Sequence, residues 1–189
     1  MVDFPSLVGR LLVAMPGIGD ERFKHAVILV CAHGPESAMG LRLDRPAPSV
    51  DLKAVLSKLK VPAPDSASGR AVMVGGPVDS ERGFVLHTDD WTSPQSSMTF
   101  FQGLAVTGTK EALLAMTDAA GGPARSTLLL GYAGWGEGQL DDELVENVWL
   151  TADADLDLIF DDDHETKWSR ALAGLGVDAG MLSGQAGRA

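Results

Sequence analysis

The apolar run AVILVCA at residues 26–32 constrains this chain more than any other segment. Successive side chains of a strand point to opposite faces. Here Val27, Leu29 and Cys31 fall on one face, and Ile28, Val30 and Ala32 on the other. A strand apolar on both faces needs cover on both sides and belongs at the centre of a sheet. Residues 11–15 form a shorter apolar run closed by Pro16-Gly17, which reads as a strand entering a turn. Residues 39–43 alternate Met39, Leu41 and Leu43 against Gly40 and Arg42, the pattern of a half-buried strand, and Pro46 and Pro48 are expected to end it.

Leu52, Val55, Leu56 and Leu59 recur at helical spacing, so a helix is expected over residues 50–60 with Ser49 as its N-cap. Residues 61–69, VPAPDSASG, read as a mobile surface loop. Residues 71–74 and 83–88 read as strands forming a hairpin or a close pair, and residues 98–101 as extended. Thr109 is placed to cap a helix that Gly121-Gly122-Pro123 stops. A strand at 126–132, a helix at 139–147, a short strand at 156–160 and a terminal helix complete the pattern. Strands and helices thus alternate irregularly without internal repeats, which predicts an α+β class built on one strongly bent sheet. No flank of the 61–69 loop is large enough to stand alone, so residues 1–189 are expected to form a single domain.

Charge narrows the function. The 26 Asp and Glu outnumber the 15 Lys and Arg, for a formal charge of −11, which repels phosphate backbones and anionic lipid. Direct nucleic-acid binding is therefore unfavoured, and the one basic area, holding Lys53, Lys58 and Lys60, is too weak to reverse the field. No run reaches the roughly 20 apolar residues of a membrane span. The start places Asp3 early and has no basic region ahead of its apolar stretch, so a soluble, cytoplasmic protein is expected. The single cysteine, Cys31, excludes an intrachain disulfide and a multi-thiolate zinc site.

Three segments could carry chemistry. GYAGWGEGQLDDEL, residues 131–144, sets four glycines between a strand and a helix but matches neither dinucleotide nor P-loop spacing. Asp141, Asp142 and Glu143 would occupy the positive end of the helix dipole that an anion would use, which favours a structural corner with Tyr132 and Trp135 as a plug. DDDHE at 161–165 could suggest a metal cluster, but Asp162 and Glu165 have capping-box spacing ahead of the terminal helix, and no metal is assigned. Cys31 and His33 sit two apart on one face of an extended strand, where an imidazolium would lower the thiol pKa, and His87 could join them if its strand paired nearby. The competing reading makes Cys31 a core residue. Hydrolase elbows, zincin motifs and a basic helix-turn-helix are absent.

In order, LLVAMPGIGDERFKHAVILVCAHGPESAMGLRLDRP, VGGPVDSERGFVLHT, GYAGWGEGQLDDELVENVWL and LIFDDDHETKWSRALAGLGVD resemble the YqgE/AlgH family of bacterial proteins, from about Gly9 to the C-terminus. The resemblance implies an α+β domain whose mixed sheet is bent into a barrel-like shape flanked by helices. It also implies a family without an established activity, cofactor or active site, some of whose members are labelled transcriptional regulators. The matching positions include His33, Gly75, Gly76, Pro77, Arg82, His87, Gly134 and Trp135. Two departures are Ala32, where an acidic residue is common, and Arg42, where an apolar strand residue is usual.

The expected function is accordingly that of a non-enzymatic binding or regulatory protein without a cofactor. Its partner would be a protein or a small molecule, and its binding turns Gly75, Gly76, Pro77, Arg82, Gly134 and Trp135. The alternative is a redox-sensing or nucleophilic thiol built from Cys31 and His33, with His87.

Overall fold

The computed structural model describes residues 5–100 and 102–182; Asp3 and Phe101 lie outside them. The strands are β1 (Leu11–Ala14), β2 (Val27–His33), β3 (Ala38–Arg42), β4 (Pro46–Asp51), β5 (Ala71–Val74), β6 (Val78–Thr88), β7 (Ser97–Phe100), β8 (Leu104–Thr107), β9 (Ser126–Trp135) and β10 (Trp149–Ala152). The α-helices are α1 (Leu52–Lys58), α2 (Lys110–Ala115), α3 (Gln139–Val145), α4 (Leu156–Phe160), α5 (Lys167–Gly174) and α6 (Ala179–Leu182). The class is α+β, as expected, and the strand pairing is mixed: β5 and β9 run parallel, the other neighbours described below antiparallel. The chain forms two compact units, one of residues 1–44 with 134–189, the other of residues 45–133.

In the first unit the strand order is β10-β1-β2-β3. All four residues of β1 are buried, because it lies between β10 and β2. In β2, residues from Val27 to Cys31 are buried, which confirms a central strand covered on both faces. Helix α5 packs on β1 and β2, where the Trp168 indole donates to the Ala14 carbonyl at 2.8 Å. Arg42, unusual in a strand, is 7% exposed and makes a two-pronged pair with Asp44, Nε–Oδ1 3.0 Å and Nη2–Oδ2 2.8 Å. Two further donors reach the carbonyls of Arg22 and Lys24, so four of the five N–H groups of the buried cation are partnered.

In the second unit the order is β4-β5-β9-β6-β8-β7. One core joins Leu52 and Leu56 of α1, Ala112 and Leu113 of α2, and Val72, Val85 and Leu128 of the strands. Each helix therefore buries an apolar stripe on the sheet, and burial of such side chains stabilises by about 1.5–3 kcal/mol apiece.

Several sequence expectations need correction. β5 and β6 are not a hairpin: β9 lies between them, parallel to one and antiparallel to the other. β3 does end at Arg42, ahead of Pro46, but Pro46 and Pro48 themselves sit in a further strand, β4, which among the described residues pairs with β5 alone; an edge strand tolerates the missing N–H. The N-cap of α1 is Asp51, whose Oδ1 accepts from the Ala54 N–H at 2.9 Å, while Ser49 adopts a left-handed φ of 60°. The 61–69 segment is tied down, with Ala67 fully buried and the Gly69 N–H bonded to Asp51. Residues 156–160 are the helix α4, not a strand, because Asp155 Oδ1 accepts from the N–H groups of Asp157 and Leu158. The far end of α4 is held by Lys167, which is fully buried and donates to the Ile159 carbonyl at 3.0 Å.

Candidate functional site

Cys31 stands where β2 slips register against β3, between Val30 and Ala32. This bulge breaks the simple alternation that would put residues two apart on one face. The thiol is 2% exposed and donates weakly to the Leu29 carbonyl at 3.6 Å. Burial pushes its pKa up to about 12, opposite to the direction an activated thiolate requires.

His33 ends the same strand but faces other partners. Its Nδ1 accepts from the Leu7 backbone N–H at 3.3 Å, so Nε2 carries the proton of the neutral ring and donates to Asp141 Oδ1 at 3.0 Å. Both ring nitrogens are occupied, and the ring pins α3 to the end of β2. The Gly138 N–H adds a bond to the Pro35 carbonyl. Gly138 has φ 65° and no side chain to offer as a cap, consistent with a corner turned by a left-handed glycine.

Within that corner the organising residue is Glu143, which sequence reasoning assigned only to the helix dipole. Its Oε2 accepts from the indole N–H of Trp135 at 2.9 Å and of Trp149 at 2.7 Å, and its Oε1 from Gln139 Nε2 at 2.8 Å. The two indoles meet edge to face, 6.2 Å between centroids, and both are buried. Gln139 also accepts from the Gly136 N–H, which closes the turn. The four-residue spacing of Gln139 and Glu143 was a legible helical pair, but Trp149 comes from β10 and could not be foreseen.

His87 belongs to the second unit and is fully buried. Its Nδ1–H donates to the Thr88 carbonyl at 2.9 Å, and Nε2 accepts from Thr107 Oγ1 at 2.9 Å; the Thr107 oxygen lies 2.6 Å from Ser97 Oγ. Trp91 packs edge-on at 5.2 Å. Burial lowers the pKa of this imidazole and favours the neutral ring. The partners of His33 and those of His87 have no member in common.

The glycines of the VGGP turn are explained by close backbone approach. A Cβ on Gly75 would lie 2.3 Å from the Gly131 carbonyl oxygen, and one on Gly76 2.0 Å from the Tyr132 carbonyl carbon. Pro77 and Arg82 are exposed, and the Arg82 guanidinium lies 5.2 Å over the Phe84 ring. Gly134 is an exposed position of β9, beside buried Trp135.

The DDDHE acids serve structure individually. Asp161 forms a two-pronged pair with Arg170, which holds its carboxyl below the usual carboxylate range, and lies 3.8 Å from the Lys167 ammonium. Asp163 accepts from Thr166, the residue ahead of α5, so the expected capping pair of Asp162 and Glu165 is replaced by Asp163 and Thr166. Among the described residues no three His, Cys, Asp or Glu side chains converge in a way that could hold a metal ion.

These features define an α+β protein of bent mixed sheets whose glycine-rich corner is a carboxylate–indole clamp. The chain belongs to the AlgH-like family, whose sequence profile matches residues 11–180. It is 53% identical over 183 residues to a UPF0301 protein of Caulobacter vibrioides, covering 97% of this chain and 94% of the relative. A UPF0301 protein of Ruegeria pomeroyi is 46% identical over 186 residues, covering 97% and 99%. The solution structure of the AlgH protein from Pseudomonas aeruginosa superposes with a TM-score of 0.78 at 38% identity, covering 100% of both chains. A Corynebacterium diphtheriae protein shares the fold with a TM-score of 0.75 at 18% identity, covering 97% and 94%. Among the described residues no helix is long and apolar enough to cross a membrane.

Proposed function

We propose that this AlgH-like protein is a cytoplasmic binding protein that acts through a protein or small-molecule partner, and that any regulatory effect on transcription is indirect. The observation that carries the reading is the internal engagement of every candidate reactive atom. The Cys31 sulfur is buried with its pKa raised, and both nitrogens of His33 and of His87 are held by neighbours. A general base or nucleophile needs a free atom within reach of its substrate. Within the basic area, Lys53 is paired with Asp65 at 2.7 Å, which weakens the case for direct contact with nucleic acid.

The test is the alkylation rate of Cys31 against pH, in the native protein and in His33→Ala; one cysteine makes the signal unambiguous. The expected result is an inert native thiol that reacts fully on denaturation. A native thiolate titrating below the free value of about 8.5, and shifting back in His33→Ala, would overturn the reading in favour of thiol chemistry.

A further inference from the structure

The imidazole of His87 heads a chain of hydroxyls that ends on an edge strand, and the protons in that chain have one consistent direction. The Thr88 carbonyl can only accept, so Nδ1 carries the proton of the neutral ring and Nε2 accepts from the Thr107 hydroxyl at 2.9 Å. With its proton spent there, Thr107 Oγ1 can only accept across the 2.6 Å to Ser97 Oγ, so the Ser97 hydroxyl donates inward. Ser97 Oγ in turn accepts from the Ser93 N–H at 2.8 Å, and Ser93 Oγ donates to Glu111 at 3.0 Å. The order Ser97 to Thr107 to His87 thus ties β7 to β8 and β6.

A protonated His87 does not fit this order. Its Nε2–H must donate to Thr107 Oγ1, the Thr107 proton then turns to Ser97 Oγ, and the Ser97 proton, which pointed at Thr107, has to leave. Among the described residues no other hydrogen bond offers that proton an acceptor. The strand that carries Ser97 is also easily displaced. β7 has four residues and ends the sheet, Met98 and Thr99 are exposed, and Ser97–Thr107 is its one side-chain hydrogen bond to β8 among the described residues. We propose that His87 is the bolt of a pH latch, whose protonation reverses the hydroxyl chain and frees the edge strand β7 from β8. β7, β8 and β9 carry no acidic or basic side chain. The charged groups around the ring are Asp89 and Asp90 after β6, Arg125 ahead of β9, Arg70, whose guanidinium holds the carbonyl of Ser126 opposite His87, and Lys110 and Glu111 of α2. The two aspartates favour the imidazolium and burial opposes it more strongly, so the latch opens below the ordinary imidazole value of 6.5. The latch does not depend on what the protein binds.

The test is amide hydrogen exchange of the full chain from pH 7.5 to 5, corrected for the intrinsic pH dependence of exchange. One proton can change an opening equilibrium by at most tenfold per pH unit. Protection of β7 is expected to fall at least about fivefold more than that of β5 and β9 in the same unit. His87→Gln, which stays neutral throughout, should hold this differential below about twofold. Ser97→Ala separates the latch from the general cost of a buried charge: it leaves His87 free to titrate but removes the hydroxyl whose proton is displaced, so β7 should exchange faster already at pH 7.5 and its pH response should shrink below about twofold. Ser97→Thr keeps the hydroxyl and should keep the response. Thermal melts at pH 7.5 verify that each variant is folded. An equal loss of protection in β5, β7 and β9, no loss in β7, or a full response surviving in His87→Gln or in Ser97→Ala would overturn the proposal.

Discussion

Replacing Glu143 by alanine tests the carboxylate–indole clamp most directly. The side chain receives three donors, Trp135 Nε1, Trp149 Nε1 and Gln139 Nε2. Gln139 lies on an exposed helix face and can turn to water, so its bond contributes little to the loss. The indoles cannot do so, since Trp135 is 5% and Trp149 3% exposed. Each would be left with a buried, unpaired N–H, at a cost of about 1–3 kcal/mol. Two such groups predict a loss of about 4 kcal/mol, or about 8–16 °C in Tm at 2–4 °C per kcal/mol for a chain of this size. Glu143→Gln keeps one carbonyl oxygen that can accept from both indoles but turns the other into an amide donor facing Gln139 Nε2, so it loses the charge assistance and the exposed Gln139 bond, and about 1–2 kcal/mol is expected. Urea unfolding followed by tryptophan fluorescence measures both, and the Trp135→Phe/Glu143→Ala cycle should show coupling of at least about 1 kcal/mol. A loss below about 1 kcal/mol in Glu143→Ala, or additive single and double variants, would refute the clamp.

Two further outcomes follow from the second unit. Gly76→Ala should destabilise by more than about 3 kcal/mol, because its Cβ would meet backbone at Tyr132 and backbone cannot move aside cheaply; chemical denaturation checks it, and a near-neutral result would mean the turn is looser than described. Burial lowers the pKa of His87 from an ordinary 6.5, so below that value the unfolded chain binds more protons than the folded one. The stability associated with a neutral His87 is therefore complete above about pH 6.5 and is lost as pH falls through and below it. Unfolding free energies measured from pH 7.5 to 5 should fall more steeply in the wild type than in His87→Gln, and parallel curves would contradict the assignment.

How far the sequence carried can be judged at particular residues. Burial of β2 and the turns around Pro16-Gly17 were legible because their causes are local: two-sided hydrophobicity and restricted backbone angles. The error at residues 156–160 is equally instructive. Leu156 and Leu158 alternate as in a strand, yet Asp155 at one end and Lys167 at the other stabilise a short helix. The first of these signals was available in the sequence; the second lies eight residues away, and its role depends on how α5 packs.

The candidate site divides in the same way. The sequence by itself determined that the chain is acidic, has one thiol, lacks the common catalytic motifs and turns a glycine-rich corner after a strand, because composition and local chain stiffness are properties of the residues themselves. Tertiary structure alone decided that Asp141 meets His33 across 108 positions of chain, that Trp149 shares Glu143 with Trp135, and that Cys31 is buried with its thiol pKa raised. Hydrogen-bond partners and desolvation depend on which atoms the folded backbone brings within about 3 Å and which it removes from water, and neither follows from the order of the residues along the chain.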